Sequence, residues 1–199
     1  MIKIDFSFYM ALILALLFGQ IDVYLTYLIA LLIHECGHLI IATFFKWEIA
    51  TLKISAIGGF LKFNDDLVKP PIQTLAVASM GIIFNLILGI ILHLTNGPAS
   101  LTYAQFAIAL FNMLPITPLD GSKILQAILR LFLPFNAVLK VLKTTNIICL
   151  MIFVLGILSL DLQQYFLVAI MLAIFVGRFG CENAYIYERY KIQKETLVS

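Results

Sequence analysis

The chain has 199 residues, 62% of them hydrophobic and 12% charged, and a net charge of +2 at neutral pH. Its mean hydropathy is +1.05, whereas a water-soluble domain is nearer ~45–50% apolar and about 25% charged. Composition therefore excludes a soluble globular enzyme, gives no argument for nucleic acid, and leaves an integral membrane protein with several helices. No polar stretch is long enough for a soluble domain, so residues 1–199 read as one membrane-embedded domain.

The first apolar segment runs from about Phe6 to Phe18. It lacks a small-residue cleavage site and reads as a retained helix rather than a signal peptide. After a turn at Gln20 to Asp22, a second segment extends from about Val23 to Phe45. Its later half contains His34-Glu35-Cys36-Gly37-His38. Residues four apart on a helix lie on one face, so His34 and His38 can aim their imidazoles at one point, a spacing that suits zinc. Glu35 stands beside the first ligand, where it can reach an activated water and take its proton. The blander alternative is packing or a structural polar network. Ionisable side chains at membrane depth cost roughly 3 kcal/mol each and need a reason to be there. Two of the chain's three histidines fall in this motif, which favours the metal.

Thr51 to Ile57 alternates polar and apolar residues, and Phe60 to Phe63 continues beyond Gly58-Gly59. This pattern predicts a small β-hairpin or a loop dipping into the membrane interface. A third span covers about Ile72 to Leu94 and a fourth about Leu101 to Leu114, broken by Pro115 and Pro118. Ser122 to Leu133 reads as a helix with Lys123, Gln126 and Arg130 on one interfacial stripe. A fifth span covers about Thr145 to Leu160 and a sixth about Gln164 to Val176. A polar, helical tail follows from Arg178. The expected fold class is an all-α polytopic membrane protein of about six transmembrane helices, with a small β-hairpin between spans two and three.

The positive charges fix an orientation for this layout. Lys3 precedes span one; Lys46, Lys53, Lys62 and Lys69 lie between spans two and three. Lys123, Arg130, Lys140 and Lys143 lie between four and five, and Arg178, Arg189, Lys191 and Lys194 follow span six. The other three loops carry no Lys or Arg. All thirteen cations thus share one side, which the positive-inside rule makes the cytoplasm, with both termini there and His34 and His38 in the cytoplasmic half of the membrane.

Two histidines do not complete a catalytic zinc site, which usually has three protein ligands. His93 lies near the outer end of span three and reads as an interfacial or packing residue. Cys36, Cys149 and Cys181 are scattered, without the spacing of a thiolate site, and read as small packing residues. Asp120 follows span four on the same side as the histidine pair, in Asn112-Met-Leu-Pro115-Ile-Thr-Pro118-Leu119-Asp120-Gly121. Proline-broken backbone is tolerated at membrane depth only around a protein-lined or watery cavity, into which Asp120 can be presented. Asp120 can also cap a helix starting at Ser122, and both roles can hold together.

These two motifs, in this order on separate spans, resemble the site-2 protease family of intramembrane zinc metalloproteases. The six-span layout, the Gly58-Gly59 loop and the short tail resemble the branch of stage IV sporulation protein FB. The resemblance implies one zinc per chain, held by His34, His38 and Asp120, with Glu35 as catalytic acid and base. It places Asn112 in the active-site cleft, donating to the oxyanion or holding substrate. It further implies a membrane-tethered protein substrate, such as a sigma-factor precursor in sporulation, a bacterial cell membrane, and regulatory membrane proteins as partners. The chain departs from the family at Gly81-Ile-Ile-Phe-Asn85, where many members have Gly-Pro-x-x-Asn, and the role of Asn85 is left open. No PDZ or nucleotide-sensing CBS domain is expected within it, and it is either naturally short or truncated before such a domain.

The expected reaction is hydrolysis of a peptide bond within the membrane. A substrate helix must unwind to be cut, and the expectation is that an extended segment adds to the strand edge near Gly58 to Phe63; the alternative reading of that hairpin is a tight connector. A membrane metal transporter and a catalytically inactive metal-binding scaffold are the rival classes. Glu35 weighs against both, because neither needs a positioned base.

Overall fold

The computed structural model describes residues 2–55, 58–63 and 69–158. Strand β1 (Ile2–Ile4) leads into helix α1 (Phe6–Leu17), followed by α2 (Ile21–Phe44). Strands β2 (Ile49–Ser55) and β3 (Gly58–Phe63) separate α2 from α3 (Pro71–Leu94). Then come α4 (Ala99–Asn112), α5 (Asp120–Leu129) and α6 (Phe135–Leu158). The sixth expected span and the tail lie outside the described residues.

Local chemistry sets the boundaries. Asp5 caps α1, its carboxylate accepting from the Ser7 amide at 3.0 Å. Pro71 opens α3 at a position where a missing N–H costs nothing. Three boundaries differ from the sequence reading. Asp22 lies in the first turn of α2, where its charge faces the positive helix end, rather than in a turn before it. Helix α6 begins at Phe135, so Lys140 and Lys143 ride on the helix instead of in a loop. The Ala137 and Val138 amides donate to the Pro134 carbonyl, and a backbone so paired continues regardless of side-chain charge. Gly58 and Gly59 lie in β3, paired with Ser55 and Ile54, rather than forming the turn.

The sheet has the order β1-β2-β3, with β1 parallel and β3 antiparallel to β2. It docks through a cluster of Ala42, Trp47, Phe63 and Val77. Trp47 donates its indole N–H to Gln73 Oε1 at 3.0 Å and meets Phe63 edge-on. This cluster ties β3 to α2 and α3 next to the histidine motif.

Helix α3 is the hub, packing against α2, α4 and α5. The polarity of this bundle is inverted relative to a soluble one. Phe44, Leu94, Tyr103 and Leu110 are exposed, whereas His34, His38, Asn85, Gln105, Asp120 and Asn146 are buried. Such a surface meets lipid, and polar groups inside a lipid-facing bundle must find partners within it. Among the described residues, α2 and α3 are long and apolar enough to cross a membrane, and α1 is a shorter apolar helix.

Candidate metal centre

The site forms where α2 and α3 touch. A side-chain carbon on Gly37 would stand 2.6 Å from the Met80 carbonyl oxygen, so the two backbones meet there without room for anything larger than hydrogen. His34 and His38, one turn apart around Gly37, are thereby pressed against Gly81. A Cβ at residue 81 would lie 2.5 Å from His38 Nε2 and 2.8 Å from His34 Cε1. With no side chain at residue 81, the His38 ring can reach the carbonyl one turn earlier. His38 Nδ1 lies 2.8 Å from the Val77 carbonyl oxygen.

That contact fixes a tautomer. A carbonyl can only accept, so His38 Nδ1 carries the hydrogen, and in the neutral ring Nε2 presents a lone pair. This lone pair faces His34 Nε2 at 3.1 Å and Asp120 Oδ2 at 2.9 Å. Asp120 Oδ2 is in turn 2.8 Å from His34 Nε2. Three electron-rich atoms on buried side chains therefore converge on one point. A shared proton can relieve one of these pairs, whereas a cation between them satisfies all three. A tetrahedral zinc with bonds of about 2.0–2.1 Å keeps its ligand atoms about 3.3 Å apart, close to the spacing here. The donor set fits such an ion, and His34, His38 and Asp120 are the residues able to hold it.

Asp120 reaches the histidines from the first turn of α5, which starts directly after the proline-broken segment. Gly121 lets α5 begin against the backbone just past the end of α4, because a Cβ there would run into the Met113 and Leu114 oxygens. The residue before the helix is Leu119, so Asp120 stands inside the first turn and does not act as its cap. Its second oxygen, Oδ1, accepts from Lys123 Nζ at 3.1 Å. Lys123 is half exposed and sets a positive charge at the rim of the centre. The sequence presented it only as part of an interfacial stripe.

Glu35 follows His34 on α2 and is half-buried. It lies within electrostatic reach of His38, Lys123 and Asp120. Asn112 ends α4, half-buried, with its Nδ2 donating to the Ile108 carbonyl of its own helix at 3.1 Å. Asn85 is fully buried on α3, its Nδ2 3.4 Å from the Ala30 carbonyl, one turn before His34. His93 sits in the last turn of α3, about 18 Å along the helix from Gly81 at ~1.5 Å per residue, and lines a separate open pocket with Asn96 and Tyr103.

Comparison with known proteins points the same way as this chemistry. The family described as Peptidase family M50 matches residues 23–97, which include both histidines, Glu35, Gly81 and Asn85. Stage IV sporulation protein FB of Bacillus subtilis is 28% identical over 192 residues, 91% of this chain. The chain spans 66% of that relative's length. The solved structure of a site-2 protease from Methanocaldococcus jannaschii superposes with a TM-score of 0.70 at 20% identity, covering 92% of this chain and 89% of the other. The fold is therefore shared with that protein. The chain resembles site-2 proteases in its motifs, its M50 segment and its fold.

Proposed function

We propose that the chain is an intramembrane zinc metalloprotease that hydrolyses a peptide bond of a membrane-associated protein. The observation that carries this reading is the convergence of His34 Nε2, His38 Nε2 and Asp120 Oδ2 inside a lipid-facing bundle, with Glu35 beside the first histidine. One zinc bound by these three side chains supplies Lewis-acid polarisation of the scissile carbonyl and lowers the pKa of the attacking water. Glu35 accepts the proton that the water releases and returns it to the leaving nitrogen, so the water's oxygen ends in the new carboxyl group and the amine departs neutral. Asn112 stands at the cleft to hold the substrate or its developing oxyanion. Lys123 keeps Asp120 Oδ1 engaged, leaving Oδ2 for the ion. Among the described residues β3 is a sheet edge, and an extended substrate segment pairing there would have its backbone satisfied while unwound.

In this reading the chain is one membrane-embedded domain of six spans in a bacterial cell membrane, with both termini in the cytoplasm. Resemblance to stage IV sporulation protein FB suggests a sigma-factor precursor in sporulation as the substrate, with membrane proteins as regulators. The test is co-expression with a tagged, membrane-tethered candidate substrate, where cleavage should require Glu35. A metal transporter would show no such cleavage.

Two further outcomes are expected. Gly81→Ala places a methyl group against both imidazoles. Metal affinity, read by chelator competition, should fall by about tenfold or more, as for other groups that orient ligands. Unchanged affinity would mean the rings can shift without loss. A reporter fused after Lys194 and one placed near Asn96 should report opposite sides of the membrane. Finding both on one side would overturn the six-span topology.

A further inference from the structure

The Asp120 ligand rides on a segment with little backbone support of its own. Pro115 and Pro118 have no N–H. The Ile116, Leu119 and Ser122 amides bond within the segment, to Leu114, Ile116 and Leu119. The Thr117 amide instead donates to Asn146 Oδ1 at 2.8 Å. Asn146 Nδ2 donates to Thr117 Oγ1 at 3.1 Å. One side-chain amide thus engages both the N–H and the hydroxyl of one loop residue, and both bonds are buried. Asn146 comes from the middle of α6, far from the motifs in sequence, and is fully buried. An amide inside an apolar helix is costly unless its bonds are made.

We infer that Asn146 is a positioning residue that sets Asp120 through its double hydrogen bond to Thr117. Thr117 is three residues before Asp120, with Pro118 and the helix start between them. Pro118 has a fixed φ, and Asp120 already stands in the first turn of α5, so a displacement at Thr117 is passed to Asp120 over a short path. An undefined loop at this place would leave the carboxylate free to leave the two imidazoles. The Asn146–Thr117 pair fixes the loop instead. Asn146 belongs to none of the sequence motifs, and nothing in them connects it to Asp120.

The inference rests on the proposed reading that Asp120 is a metal ligand, and the test separates the two. The full chain is purified in detergent, and zinc affinity is measured by competition with a chromogenic chelator, alongside thermal stability. Asn146→Leu keeps the volume but removes both bonds and should weaken zinc about 10–100-fold, as loss of groups supporting a ligand does. Thr117→Val keeps the amide bond and loses only the hydroxyl contact, so it should weaken zinc less, but measurably. Gln105→Leu is the control. Gln105 is equally buried, on α4, and its side chain makes no hydrogen bond among the described residues. It should change stability without changing zinc affinity.

A merely structural Asn146 would shift thermal stability and leave the affinity of the folded chain alone. Wild-type affinity in Asn146→Leu, or an equal loss in Gln105→Leu, overturns the inference while leaving the metal centre standing. Failure of the wild-type chain to take zinc overturns both. If Asn146→Leu does not fold, Thr117→Val decides, and unchanged affinity there overturns the positioning role.

Discussion

Glu35→Gln should bind zinc like the wild type and fail to cleave. Gln has almost the same volume as Glu and the same capacity to pack on α2, so His34 and His38 keep their helix positions. What disappears is the ability to accept a proton from water and pass it to the leaving nitrogen. General acid and base catalysis contributes about 10²–10⁴-fold, and more where one group serves both steps. Cleavage of a tethered substrate should therefore drop by at least two orders of magnitude, to near background on that scale. Binding of substrate and metal should persist. A transit site for metal would behave otherwise, because its ligands remain and flux continues. Cleavage near the wild-type rate would show that Glu35 is not the proton carrier.

Asp120→Ala should lose the metal. Its Oδ2 lies 2.8 and 2.9 Å from the two imidazole nitrogens, and its removal leaves a pair of neutral histidines with no anionic partner. Loss of a ligand should exceed the roughly 10–100-fold effect typical of supporting groups, so a chelator wash should strip zinc from the variant and spare the wild type. Activity should go with it. Lys123 is half exposed, so loss of the Asp120 carboxylate leaves no buried charge behind and the fold should survive. Retention of full zinc in Asp120→Ala would take Asp120 out of the ligand set.

Much of the centre was legible in the chain because helix geometry is local. The spacing of His34 and His38 needs only one turn of helix to become a pair on one face. Asp120 was legible by a different route, as a carboxylate after a proline-broken span on the cytoplasmic side of the expected layout. Long-range detail was not. The Val77 carbonyl that fixes the His38 tautomer belongs to the backbone and has no sequence signature. Gly81 was visible as the first residue of a family element, but its reason for being glycine appears only when α2 lies against it. Asn146 acts across the bundle, through a contact spanning twenty-nine residues. The parallel pairing of β1 with β2 was also missed, since three residues before the first helix carry too little periodicity to read.

Helix boundaries failed in an instructive way. The expected fifth span starts at about Thr145, which leaves Lys140 and Lys143 in a loop, but a helix extends as far as its backbone pairing, and the Pro134 carbonyl starts α6 well before them. Charge patterning carries an expectation about the side of the membrane, but it does not locate a helix start.

The most direct measurement is X-ray absorption at the zinc edge on the purified full chain. The centre described here predicts about one zinc per chain, with two imidazole nitrogens and a carboxylate oxygen among its ligands and no sulfur, the carboxylate contribution vanishing in Asp120→Asn. Zinc bound through Cys36 sulfur, or no stoichiometric zinc at all, would contradict it.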